Sequence, residues 1–307
     1  MEAKDYKFAN AAAIDRTAYR SLKVATAGLA PVVEAFVENM NRVVSVVEFV
    51  MDSPEFAADF ARHRAMLSAT IENNVFLSGE QLATFSVEVT KRFIQDEHSK
   101  EEADLTRTRN EASNILNLWV QVRPSLKSGI DGIFGAMITG TWTAFEVMAT
   151  DLWEQAINCH PAGLAHLPGT DKDKQVSLTK LQKFGYDLRA SMGTLLKDKL
   201  GPRGLADIRN GYRLAFDHDC ATIEQALKNS AFDQLQAIRN VLVHRAGIAD
   251  EKFRGVVSTT AWTTFELLEP GKDRIVLNGE IVQDIVRRSI EASTNLIRAV
   301  DAWLSTH

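Results

Sequence analysis

Three features of this 307-residue chain predict an all-α protein, a helical bundle. Apolar residues recur at three- and four-residue intervals over most of its length. Helix-start signals stand ahead of those runs: Ser53-Pro54-Glu55, Ser78-Gly79-Glu80-Gln81 and Ser99-Lys100-Glu101-Glu102. They offer a capping oxygen, a first-turn proline or a returning acid to otherwise free amides. Only Val256 to Leu268 departs from the helical period, being rich in β-branched and aromatic residues.

From the N-terminus, Asp15 to Met51 carries a helical-period run through Val33, Phe36, Met40 and Val44, which Gly28 and Pro31 are expected to break or kink early. The capped segments that follow hold Phe56 and Phe60, Leu82 and Phe85, then Leu105, Ile115 and Trp119, as helix hairpins with short turns would. His63 and His98 read as surface residues. Between Val122 and Gly129, proline, glycine and polar residues separate two periodic segments and mark a boundary. Residues 1–125 then form a helical region suited to partner binding or oligomerisation, and residues 126–307 carry the chemistry.

In the second region Ile130 to Cys159 reads as one helix, its apolar run interrupted by Glu146 and Asp151. His160 to Lys174 reads as a loop whose two histidines lack partners at metal-ligand spacing. Leu178 to Leu200 reads as a helix weakened by Gly185 and Gly193. Leu205 to Phe216 gathers Arg209, Asn210, Tyr212 and Arg213. An aromatic beside guanidinium groups can stack on an unpaired base; equally, such arginines can run their stems along an amphipathic helix. Thr222 opens a helix or helix pair. Val256 to Leu268 and Arg274 to Leu277, joined through Pro270-Gly271-Lys272-Asp273, form an expected small β-hairpin, and Asn278-Gly279 leads into a helix from Glu280 to Leu304.

Charge and composition narrow the function. The chain carries a net charge of −5, with 14 basic against 18 acidic residues up to Ser125 and 21 against 22 after it. Neither part is a basic coat, which argues against a passive nucleic-acid-coating protein while leaving room for a local phosphate site. Cys159 and Cys220 form no framework or metal spacing, pointing to a reducing compartment. The first residues lack a signal-peptide core, and no apolar run approaches the roughly 20 residues of a membrane helix. The expected location is cytoplasmic, away from the membrane. No Walker loop, GxGxxG after a strand, His-Glu-x-x-His or nucleophile elbow occurs, which weighs against NTPase, dehydrogenase, zinc-protease and hydrolase readings. No metal or cofactor is expected.

The chemistry gathers in Asp233 to Asp250, DQLQAIRNVLVHRAGIAD. Leu235, Ile238, Val241 and Leu242 are spaced to face a core. Gly247 is placed to end the helix, and Arg245 suits its C-terminus. Asn240 and His244, four apart, share a face; Arg239 lies about 140° around, so only its long side chain reaches the same spot. The three suit phosphodiester chemistry. Arginine offers a fork of donors to phosphate oxygens, histidine transfers a proton near neutrality, and an RNA 2′-hydroxyl supplies the nucleophile. Arg92–His98 and Arg213–His218 share the loose spacing, but Phe93 and Leu214 follow their arginines and neither is trailed by glycine and aspartate.

Arg239-Asn240, three residues and His244, on a helix trailed by Gly247 and Asp250, resembles the signature of HEPN domains. The likeness extends over roughly the C-terminal 180 residues. It implies a HEPN-like all-α domain over 126–307, here with the hairpin inserted, and a metal-independent ribonuclease of the kind used in toxin and phage-defence systems. Arg239, Asn240 and His244 would be the catalytic group, and two domains would pair their Arg/His sets, making a homodimer the active form. Glu146 would face the Arg/His pair, as an acid of the first core helix does in that family; read locally, it pairs with an arginine for stability. Arg209, Tyr212 and Arg213 are further substrate-binding candidates. RNA is the expected substrate, and an inhibitory or activating protein partner fits such a role. The alternatives are a non-catalytic HEPN-like module that binds RNA or protein, and a plain helical scaffold.

Overall fold

In the computed structural model the described residues are 14–46, 48, 117, 123–161, 175–200, 204–216, 220–259 and 273–307. The helix starts expected at Ser53, Ser78 and Ser99, with His63 and His98, lie outside them. Among the described residues the architecture is helical, with one isolated antiparallel bridge between Ile248 and Arg274. The helices are α1 (Thr17–Arg20), α2 (30–46), α3 (Pro124–Cys159), α4 (Leu178–Lys183), α5 (Met192–Leu200), α6 (Leu205–Ala215), α7 (Ala221–Leu227), α8 (Ser230–Arg245), α9 (Glu251–Thr259) and α10 (Gly279–Thr306).

The 36-residue α3 is the axis of the fold. It buries Phe134, Phe145, Leu152 and Trp153, and α10, α5, α8 and α6 pack around it. Phe145 stacks on Phe232 of α8, ring centroids 4.0 Å apart. Two bonds lock α6 to α3 in opposite directions: Trp153 Nε1 donates to the Gly211 carbonyl at 3.1 Å, and the Tyr212 hydroxyl donates to that of Ala149 at 2.7 Å. At the other end of α3, α5 crosses at Gly193, where a Cβ would stand 2.0 Å from the Glu154 carbonyl oxygen. Asn158 Oδ1 accepts from the Gly193 amide at 2.7 Å, and Lys197 bridges Asp151 and Glu154 at 2.5 and 2.8 Å.

Residues 14–46 share this core. Val43 packs on Gly140, Gly28 meets Cys159, and Asp301 of α10 accepts from the Ala25 and Thr26 amides at 2.8 Å each. Among the described residues, those from Ile14 to Val44 and from Ile130 to Trp303 contribute to one buried cluster. Pro31 starts a helix instead of kinking one, since its missing amide costs nothing in a first turn. Pro124 does the same for α3, which begins ahead of the expected Ile130.

Two expectations are corrected. Leu178 to Leu200 is not one helix: it breaks after Lys183, where Gly185 and Tyr186 both adopt left-handed backbone at φ 61° and 62°. Val256 to Thr259 is not strand but the end of α9. Asp250 nucleates that helix by accepting from the Phe253 amide at 2.9 Å, and Phe253 anchors it at 2% exposure. Capping and burial outweigh the β preference of its valines. The strand partner of Arg274 is instead the segment after the motif, with Ile275 donating to the Gly247 carbonyl at 2.8 Å. Residues 260–272 of the expected hairpin lie outside the described residues.

Candidate functional site

α8 begins on Asn229, whose side chain accepts from the Ala231 amide, and packs Phe232, Leu235 and Ile238 into the core. It ends with Ala246 and Gly247 in left-handed backbone, φ 51° and 84°, and both amides return to the Val241 carbonyl. That reversal sends the chain through Asp250 into α9. α8 from Asp233 onward, Asp250 and the first turns of α9 thereby enclose an open groove of about 370 Å³. Asn240 and His244 line it, with Asp233, Gln236, Arg245 and Lys252, over an apolar floor that includes Val241 and Phe253.

Arg239, Asn240 and His244 meet as the spacing predicts. Arg239 Nη1 lies 3.0 Å from Asn240 Oδ1 and 3.1 Å from His244 Nε2. A guanidinium only donates, so Nε2 is the accepting atom in this contact. His244 is exposed, whereas Arg239 is half-buried and its Nε is buried without a hydrogen-bond partner. No carboxylate pairs with Arg239 among the described residues.

The other candidates go elsewhere. Glu146 accepts from the Gly204 amide at 3.1 Å, holding the start of α6. Arg209 is clamped by Asp233, 2.8 Å to each oxygen, and donates to the Leu227 carbonyl. It sits between the motif groove and a second groove of about 320 Å³ formed by α6 and α7. Arg213, exposed, lines that second groove and donates to Asn210 at 2.9 Å. Tyr212 is 1% exposed, and burial pushes its hydroxyl well above the ordinary phenol value. Its ring is part of the core and offers no face to a base.

Sequence reasoning missed Gln236 and Lys252. Gln236 stands one turn before Asn240 on the same face, a spacing that could have drawn attention to it. Lys252 joins the site only because the α8–α9 reversal folds it back, which no spacing rule foretells. Among the described residues no cluster of His, Cys, Asp and Glu is arranged to hold a metal ion, and no helix is long and apolar enough to cross a membrane. No family model, no curated protein and no solved structure matches the chain.

Proposed function

We propose that this chain is a metal-independent endoribonuclease of the HEPN type, acting in phage defence or toxin-like growth control. The observation that carries this reading is a guanidinium without a counter-ion. The other half-buried arginines among the described residues are neutralised: Arg209 by Asp233, Arg288 by Asp284, Arg16 by Glu48. Arg239 touches only neutral groups, and holding a half-buried cation that way is costly. An arriving phosphate offsets that cost.

In the reaction the scissile phosphate draws Nη1 away from His244 and frees the Nε2 lone pair. His244 then takes the proton of the 2′-hydroxyl as its oxygen attacks phosphorus. The bond to the 5′-oxygen breaks, that oxygen gains a proton from water, and the products are a 2′,3′-cyclic phosphate and a 5′-hydroxyl. Arg239 stabilises the charge gathering on the phosphate oxygens, where a preorganised donor is worth most. Asn240 fixes the guanidinium through Oδ1. A homodimer, with the two Arg/His sets facing one another, is the active form in this reading.

The test is cleavage of a mixed RNA pool with EDTA present, comparing wild type with Arg239→Ala and His244→Ala and identifying the end groups. Cyclic-phosphate ends from wild type, with cleavage reduced at least about a hundredfold in both variants, are the expected result. Variants as active as wild type would sink the site assignment. Absence of cleavage by any of the three would favour the non-catalytic binding module.

A further inference from the structure

The cleavage takes the proton of its leaving 5′-oxygen from water, and the groove holds a group able to hand that proton over. An alkoxide is a poor leaving group, and an acid positioned beside it is worth about a hundredfold or more in rate. Attacking and leaving oxygens lie roughly in line through phosphorus, so the acid has to stand across the groove from His244. His244 belongs to the α8 wall. The facing wall is the start of α9, which lines the groove with Lys252, Phe253 and Val256. Of these only Lys252 carries a proton it can give.

The other ionisable residues that line the groove are committed elsewhere. Asp233 accepts from both terminal nitrogens of Arg209, 2.8 Å to each oxygen. Asp250 accepts from the Phe253 amide at 2.9 Å and stands 3.9 Å from Arg245 Nε, so it serves there as an acceptor. A guanidinium does not release its proton, which removes Arg245, and His244 is occupied at the 2′-hydroxyl. Lys252 is exposed and forms no ion pair with Asp250 or with any other of the described residues. Helix formation does not account for it either. A cation in the first turn of α9 opposes the positive end of the helix dipole, where the neighbouring Glu251 is the favourable choice.

We propose that Lys252 is the general acid of this cleavage. The 2′-oxygen gives its proton to His244 and bonds to phosphorus. The bond from phosphorus to the 5′-oxygen breaks, and that oxygen leaves with the electron pair and takes a proton from the Lys252 ammonium. The neutral amine left behind is open to solvent and recovers a proton from water, while His244 returns its own. Over the cycle one proton leaves the 2′-hydroxyl and one reaches the 5′-oxygen, so the step balances. Asp250 holds the turn that carries Lys252, through its bond to the Phe253 amide.

This inference rests on the ribonuclease reading of the same groove, and the experiment separates the two. An oligonucleotide bearing a cut site mapped in the mixed RNA pool is made with oxygen or with sulfur as the bridging 5′-atom; a thiolate leaves without a proton. Wild type, Lys252→Ala, Lys252→Arg and His244→Ala are given both substrates with EDTA present. Lys252→Ala is expected to cut the oxygen substrate about a hundredfold more slowly than wild type, and the sulfur substrate as fast as wild type. Lys252→Arg keeps the charge without a proton to give, so it matches Lys252→Ala. His244→Ala is slow on both substrates. If Lys252→Ala cuts the oxygen substrate as fast as wild type, is equally slow on both, or is rescued by arginine, the inference is overturned and the ribonuclease stands. Absence of cleavage of the pool by wild type overturns both.

Discussion

Arg239 and Arg209 differ at the scale of single residues in what neutralises them. Arg209 is matched by both oxygens of Asp233 and by a carbonyl, so Arg209→Met leaves a partly buried carboxylate alone. A loss of about 1–2 kcal/mol is expected in urea unfolding, discounted for the pair's partial exposure. Arg239 has no such partner, so Arg239→Met should leave stability unchanged or raise it by up to about 1 kcal/mol while ending cleavage. A substantial stability loss in Arg239→Met would mark the residue as scaffold. The sequence made Arg239, Asn240 and His244 legible, because helical geometry alone fixes which side chains can meet. It could not tell that Tyr212 turns inward or that Glu146 serves a backbone amide, since both depend on neighbours some 60 positions away.

Among the elements, the corner between α8 and α9 decides the shape of the groove. Asp250 caps α9, so Asp250→Ala is expected to cost about 1 kcal/mol and to loosen the turn carrying Lys252. Faster amide exchange confined to the start of α9 would be the sign; unchanged exchange would remove Asp250 from this role. Gly193 governs a different junction. A Cβ there would collide with the backbone of α3, which cannot give way as a flexible side chain can. Gly193→Ala should therefore displace α5 and cost about 2–3 kcal/mol, read from the urea midpoint. The long helices α3, α8 and α10 were legible from period and caps. The break at Gly185–Tyr186 and the helical fate of Val256 were not, because tertiary packing and a cap overrode local preference there.

For the molecule as a whole, residues 14–46 are held to α10 partly through Asp301. Burial pushes that carboxyl's pKa up, but the Ala25 and Thr26 amides outweigh burial and leave it below the ordinary 3.8. A carboxyl depressed by folding stabilises the native state above its unfolded value, and that contribution fades as pH falls through the lowered one. Limited proteolysis between residues 14 and 30 should therefore quicken in wild type as the pH drops below 3.8. Asp301→Asn should be cut faster at neutral pH with little further change in acid; identical pH profiles would contradict the assignment. Light scattering addresses the pairing of chains, for which the proposal requires twice the 34.1 kDa of one chain.

The left-handed turn at Ala246 and Gly247 also bears on when the site comes into being. All the side chains that line the motif groove fall between Asp233 and Val256, so the ribosome releases them as one continuous piece. Yet α9 has nine residues, below the length at which an isolated helix persists in water, and α8 with sixteen stands barely above it. The opposite flank of α8 rests on α10, made later in synthesis. A growing chain can thus carry the whole groove past the exit tunnel before α10, on which α8 rests, is added. Under the proposed function, that delay would keep the nascent chain from cutting the transcripts around it.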